Sequence, residues 1–407
     1  MRVLEGKKPE KVFEFFEDIA GIPHGSGNVE QISNYLVDFA KKRGLKYRQD
    51  DSLNVIIWKD GTEGYEDSDT VIIQGHMDMV AVKTADSNKD MEKEGLDLEV
   101  NGDYLSAKNT SLGGDDGIAV AYALAVLDSD DVAHPPIEAI FTVDEEIGLL
   151  GAVALDTSDI KGKLMLNLDS EDEGIFTVSC AGGGTATCNL PLHKEPINAQ
   201  IIELRLYDFA GGHSGMEIIK GGANANCIMG RILLNVFQNV GVRLVSINGG
   251  EKDNVIAKVS EAAIAVNKEA VEKAKEIIEN TFNEVKDEYK TTDPDAKIQT
   301  NVIEEQFMDV MSGATTLATI ISLVNMPNGI QRMNNEIEGM VQTSLNLGIL
   351  RTTETNVALS YSVRSSVESE KQFLIEKLRS LTEIFGGTLE MSGEYPGWEY
   401  KDDSKIR

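Results

Sequence analysis

A histidine and an aspartate two residues apart, in Gly75-His76-Met77-Asp78, follow directly on the β-branched run Val71-Ile72-Ile73. That run is short, apolar and bounded by Asp69 and Gly75, and it reads as a buried strand delivering His76 at its C-terminal end. An imidazole binds a metal through one ring nitrogen while its other N–H donates to a carboxylate that fixes the tautomer. Residues two apart on a strand return to the same face, so His76 and Asp78 can be ligand and orienter. Such triplets are common by chance, and this one gains weight only from its company.

The company is acidic. Residues 107–120 read AKNTSLGGDDGIAV, a glycine turn holding Asp115 and Asp116 ahead of the apolar, helical stretch 118–127. The strand-like run 137–143 (IEAIFTV) ends in Asp144-Glu145-Glu146, and a third, 164–168 (LMLNL), ends in Asp169. Each has an ordinary alternative taken alone: acidic residues favour helix starts, and a charge run is usually a solvated loop. Three strand ends and one glycine turn all delivering His, Asp or Glu are hard to obtain by coincidence. Open α/β sheets place their sites at such strand ends.

Ligand type then limits the chemistry. One histidine with several carboxylates suits Zn, with Mn or Co as alternatives. A carboxylate can bridge two metals that together clamp a substrate oxygen and acidify a water. Of two adjacent glutamates, one can bind metal while the other shuttles the water's proton. These residues point to metal-assisted hydrolysis.

The elements that must position them divide the chain in two. Residues 1–185 alternate strand runs with helical stretches, among them helices at 13–20 and 32–40, which is the pattern of an α/β layered sheet. The run Ala181-Gly182-Gly183-Gly184 is expected to form a hinge between the two domains. From 186 to 394 strands are expected at 201–207, 254–266 and 357–363, and helices at 223–237, 269–289 and 370–385. The 269–289 helix shows apolar residues at three- and four-residue spacing.

Composition narrows the function class. The 407 residues carry a formal charge of −30, which argues against nucleic acid or an anionic membrane as partner and gives a field that attracts cations. No run approaches the roughly 20 apolar residues of a membrane span. The first residues, MRVLEGKKPEKVFEFF, show no secretory signal, so a cytoplasmic protein is expected. Three cysteines (Cys180, Cys188, Cys227) are too few for a disulfide framework and read as buried free thiols.

The segments GHMDMV, TSLGGDDGIAVAYALAVL, HPPIEAIFTVDEEIGLLGA, LNLDSEDEGIFTVSCAGGG and GGHSGMEI together resemble the aminoacyl-histidine dipeptidases (peptidase D, carnosinase-like). These are a branch of the co-catalytic zinc metallopeptidases, and the likeness runs over about residues 22–398. It implies a catalytic α/β/α sheet domain at 1–185, an inserted α+β lid and dimerisation domain at 186–394, and the start of a return to the catalytic domain at 395–407. It implies that His76 binds one zinc with Asp78 orienting it, that Asp115 bridges to a second zinc, and that Glu146 and Asp169 are further ligands. Glu145 would be the general base. His213 resembles the lid histidine that reaches a partner subunit's active site and polarises the scissile carbonyl. Asn254 and Arg364 align with the groups that hold the substrate's C-terminal carboxylate.

The chain departs from that family at defined places. The family's second zinc takes a histidine near the C-terminus, whereas the five histidines here are His24, His76, His134, His193 and His213. The C-terminal part of the catalytic domain is therefore expected to be missing, with an uncovered sheet edge. Ile219 and Gly222 stand where the family usually shows histidine and arginine. The resemblance implies a homodimeric, zinc-dependent dipeptidase acting on small dipeptides, Xaa-His among them. A non-catalytic relative with an incomplete metal site and an N-acyl amino-acid hydrolase are the alternatives.

Overall fold

The strand that ends in His76 runs from Val71 to His76 and lies inside a five-stranded sheet. The structure is a computed structural model that describes residues 2–170 and 173–406. It forms two units, Met1–Thr177 with Asp403–Arg407, and Val178–Asp402.

In the first unit the elements are α1 (Glu10–Ala20), α2 (Glu30–Arg43), β1 (Lys46–Gln49), β2 (Val55–Lys59), β3 (Val71–His76), β4 (Leu98–Asn101), β5 (Tyr104–Ala107), α3 (Gly114–Asp128), β6 (Ile137–Thr142), α4 (Leu150–Ala154) and β7 (Leu164–Asn167). The sheet order is β1-β2-β6-β3-β7, and β4 pairs β5 as a separate hairpin. β3 runs parallel to both β6 and β7, so the C-terminal ends of these three strands lie at one end of the sheet.

Period-two alternation divides the strands' side chains. Val55, Ile57, Ala139 and Phe141 join a core with Phe15 and Phe16 of α1, Leu36 of α2 and Leu124 of α3. Ile56, Ile72 and Ile140 point the other way, into a small cluster with the partly buried Trp58, Leu155 and Ile160. The expected second helical layer is thus thin, made of the short α4 and the loop after it. α2 stops at Gly44, whose φ of 64° closes the helix behind Lys41, Lys42 and Arg43. β7 is an edge strand, and Met165, Leu166 and Leu168 at its end are exposed.

The second unit contains β8 (Gly182–Pro191), β9 (Lys194–Tyr207), α5 (Ala225–Val240), β10 (Arg243–Gly249), β11 (Ser260–Val266), α6 (Val271–Glu288), β12 (Lys297–Met311), α7 (Gly313–Asn325), β13 (Gly329–Met333), β14 (Val341–Thr352), β15 (Asn356–Ser365), α8 (Glu368–Ile384) and β16 (Thr388–Tyr395). One sheet takes the order β12-β9-β11-β10-β14-β15-β8-β16, with β13 added beside β14. This is two βαββαβ halves joined through β10 and β14. The half built from β9, α5, β10, β11, α6 and β12 is inserted between β8 and α7 of the other half. α5 and α7 meet closely: a Cβ on Gly230 would lie 2.7 Å from that of Leu323.

Three expectations change here. The glycines at 182–184 are not a linker but the start of β8, where neighbours crowd Gly182 and Gly183. A Cβ on Gly182 would come within 2.3 Å of the Gly397 nitrogen. Of 254–266 only Ser260–Val266 is a strand, because the carbonyls at 253 and 255 bond to a side chain instead of a ladder. Cys188 is buried, but Cys180 is exposed and Cys227 only partly covered.

Candidate functional site

At the end of β3 the His76 backbone N–H donates to Asp116 Oδ2 at 3.1 Å. That approach needs Gly75, since a Cβ there would lie 2.7 Å from the same carboxylate oxygen. His76 Nδ1 faces Asp78, 3.0 Å from its carbonyl oxygen and 3.3 Å from Oδ1. With Nδ1 so engaged, Nε2 points to where carboxylates converge: Asp115 Oδ1 at 2.9 Å, and Glu145 Oε2 and Asp169 Oδ2 each at 3.9 Å.

Asp78 is fully buried and fixes the neighbouring loop as well as the imidazole. It accepts from Ser26 Oγ at 2.8 Å, from the Glu145 N–H at 3.1 Å and from the Glu146 N–H at 3.4 Å. The chain reaches that position through Asp144, which adopts a φ of 53° and accepts from the Gly27 N–H at 2.7 Å. Gly151 then lets the loop return, because a Cβ there would sit 2.4 Å from the Val143 carbonyl oxygen.

Two groups can hold a metal ion, His76 with Asp116 and Asp169, and His76 with Asp115 and Glu146. Within each, the ligand atoms lie within 4.8 Å of one another. Both depend on His76, and among the described residues no second histidine joins them. Asp116 is the member that sequence reasoning leaves out. The doublet Asp115-Asp116 was visible, but nothing local separates the exposed aspartate from the buried one.

The electrostatics are those of negative charge held close together. Burial disfavours the His76 imidazolium, yet the hydrogen bond to Asp78 and the charges of Asp116 and Asp78 outweigh it and raise the imidazole to about 10. Burial pushes Asp116 up to about 8, and the charge of Asp169 adds to it. Glu145 and Glu146 are also raised, by burial first and then by neighbouring carboxylates. Burial works against the Asp78 anion too, but hydrogen bonds from His76, Ser26 and the Glu145 N–H hold it below the usual range. A divalent cation is the partner this donor set fits.

The second unit gathers the other sequence-derived residues. His213 forms an isolated bridge with Val255, and the Ser214 N–H donates to the Asn254 carbonyl at 2.9 Å. His213 Nδ1 accepts from the N–H groups of Gly215 and Met216 at 3.3 Å each, and among the described residues no hydrogen bond engages Nε2. Arg364 lies beside this loop: a Cβ on Gly215 would be 3.1 Å from the His213 ring and 3.5 Å from Arg364 Cζ. Burial and the Arg364 charge keep His213 below the usual imidazole range. The exposed side chains of Met216 and Ile219 flank the group.

Comparison with known proteins gives the same outline. Residues 207–293 match the family model of a peptidase dimerisation domain. Over 410 aligned residues the chain is 34% identical to the cytosol non-specific dipeptidase of Escherichia coli (strain K12), covering 100% of this chain and 84% of that protein. The crystal structure of aminoacylhistidine dipeptidase from Vibrio alginolyticus matches with a TM-score of 0.92 at 34% identity, over 99% of this chain and 82% of that one. Among the described residues no helix is long and apolar enough to cross a membrane.

Proposed function

The chain belongs to the dipeptidase family of cytosol non-specific dipeptidase and aminoacylhistidine dipeptidase, a branch of the metallopeptidases, and on that premise we propose that it is a cytoplasmic, zinc-dependent hydrolase of small dipeptides, Xaa-His among them. The observation that carries the reading is the convergence on His76 Nε2 of Asp115, from the start of α3, and of Glu145 and Asp169, from just beyond the ends of β6 and β7. His76, Asp115 and Asp169 would hold one ion, and Asp115 with Glu146 would begin the site of a second. Zinc bound there supplies Lewis acidity, polarising a carbonyl and making a water a better nucleophile near neutral pH.

The remaining work falls to the chain's own groups. Glu145 takes the proton from the attacking water and returns it to the departing amine; its raised pKa suits a group that must do both. Asp78 fixes the His76 tautomer and, through the N–H groups of Glu145 and Glu146, the position of both glutamates. Arg364 and Asn254 hold the substrate's C-terminal carboxylate, guanidinium being well matched to a carboxylate fork. In a homodimer His213 would reach the active site of the partner subunit and donate to the scissile carbonyl oxygen there. The dimerisation-domain match at 207–293 supports a homodimer through the second unit.

The test is hydrolysis of an Xaa-His dipeptide, beside dipeptides lacking histidine, by chelated protein titrated with Zn²⁺. Zinc-dependent cleavage is expected. Folded protein that cleaves no dipeptide at any zinc level would leave a non-catalytic relative as the reading.

A further inference from the structure

The group formed by His213, Asn254 and Arg364 lies on two loops and one strand of the second unit, and something must hold the loops against the strand. The geometry points to Asn346: we propose that it is the positioning residue of the carboxylate-binding group, acting through Asn254. This rests on the reading of Asn254 and Arg364 given above.

Asn346 is buried on β14, directly opposite Ser362 on β15. Two residues back along β14, Ser344 lies opposite Arg364. Residues two apart on a strand, and residues directly opposite on its neighbour, share a face, so Asn346 and Arg364 stand on the same side of the sheet. Leu345, Leu347, Tyr361 and Val363, on the other side, belong to the helix-covered core.

The Asn346 amide is used in full. Its Nδ2 donates to the carbonyls of Asp253 and Val255, each at 3.0 Å, the two carbonyls that bracket Asn254. Its Oδ1 accepts from Asn224 Nδ2 at 3.0 Å, and Asn224 is itself fixed as the N-cap of α5. The loop also lies flat on the strand, since a Cβ on Gly348 would be 2.2 Å from the Asp253 carbonyl oxygen. Among the described residues, no hydrogen bond reaches the Asn254 side chain. Its amide is held in place by its backbone while its polar atoms stay available to a ligand.

The same clamp reaches His213. The Ser214 N–H donates to the Asn254 carbonyl, and the Ile256 N–H donates to the Gly212 carbonyl, both at 2.9 Å. The His213 loop is therefore registered on the loop that Asn346 holds. Arg364 stands beside it with one terminal nitrogen donating to the Tyr395 hydroxyl at 3.2 Å, and among the described residues its buried Nε has no hydrogen-bond partner.

A purely structural asparagine and a positioning one differ in a double-mutant cycle. Asn346→Ala, Asn254→Ala and the double variant are compared in the full zinc-loaded chain, with kcat, KM and melting temperature measured for each. Asn254→Ala should raise KM by about tenfold with a smaller change in kcat, and Asn346→Ala should do the same, as groups that orient a ligand typically do. The double variant should be no worse than Asn254→Ala alone, and zinc content should be unchanged. Should Asn346→Ala fail to fold, Asn346→Ser carries the same cycle, since it keeps a short donor. Additive losses, or an Asn346 variant with unaltered KM beside an impaired Asn254→Ala, would overturn the inference while leaving the carboxylate reading intact. An Asn254→Ala enzyme with unaltered KM would overturn both.

Discussion

In the first unit His76, Glu145, Glu146 and Asp169 stand within a few residues of where three parallel strands stop, while in the second unit His213 and Asn254 sit on loops clipped to each other and to a strand. The first arrangement takes its precision from the sheet: once β3, β6 and β7 pair in register, their ends are neighbours and what they carry must converge. The second takes its precision from buried amides, chiefly Asn346 and Asn224. A sheet can hold like charges together against their repulsion. A clipped loop presents neutral and cationic groups with less resistance to overcome. The two should therefore fail differently when changed, the first in rate and metal binding, the second in substrate affinity.

Glu145→Gln is the strongest test of the first half. General acid–base groups contribute about 10²- to 10⁴-fold, so kcat should fall by that factor while zinc content and KM stay near wild type. A variant with near-normal turnover would remove Glu145 as the base. On the other side, Arg364→Ala deletes charge-assisted hydrogen bonds to a carboxylate, about 1.5–3 kcal/mol, and should lower kcat/KM by about 10- to 100-fold, mostly through KM. A dominant fall in kcat there would erase the distinction between the two regions.

How far the sequence discloses each region follows from the same contrast. That the metal-type residues gather was legible because His76, Glu145, Glu146 and Asp169 follow short apolar strand runs and Asp115 follows a glycine turn, and these are positions that spacing can locate. Asp116 escaped because its burial depends on Gly75, forty-one positions earlier, and nothing beside it says so. In the second unit the helix 271–288 showed its periodicity, but α7 did not, because its GATTLATIISLVN buries Thr315, Thr316, Thr319 and Ser322 and is rich in β-branched residues. The clamp was invisible for a deeper reason. Asn224 and Asn346 look like any cap or loop asparagine, and they meet across 122 positions of sequence.

Acidity sharpens the comparison further. In the metal-free protein His76 is raised to about 10 and Asp116 to about 8, so both hold protons at neutral pH that a divalent ion must displace. Zinc affinity should rise by up to about tenfold per pH unit for each proton released, flattening once pH passes those values. The stability of the metal-free protein should run the other way. A group whose folded pKa is raised is favourable below its unfolded value and loses that contribution as pH climbs through the folded one. The metal-free melting temperature should accordingly fall between about pH 7 and 10, and bound zinc should flatten the slope. A metal-free melting temperature that rises with pH in that window would show that the cluster does not hold its protons.

The smallest expected effects come from two glycines that play matching parts. Gly75 admits Asp116 to the His76 backbone, and Gly348 admits the Asp253 carbonyl to β14; a Cβ would come within 2.7 Å and 2.2 Å of them respectively. Overpacking of this kind costs about 1–3 kcal/mol, so each alanine variant should melt lower by several degrees. Their functional signatures should separate. Gly75→Ala displaces a carboxylate of one metal-type group and should weaken zinc binding with little change in KM at saturating zinc. Gly348→Ala lifts the loop that carries Asn254 and should raise KM with zinc binding untouched. If both variants shift the same parameter, the strand-end site and the clipped-loop site are not independent, and the division of labour between them must be redrawn.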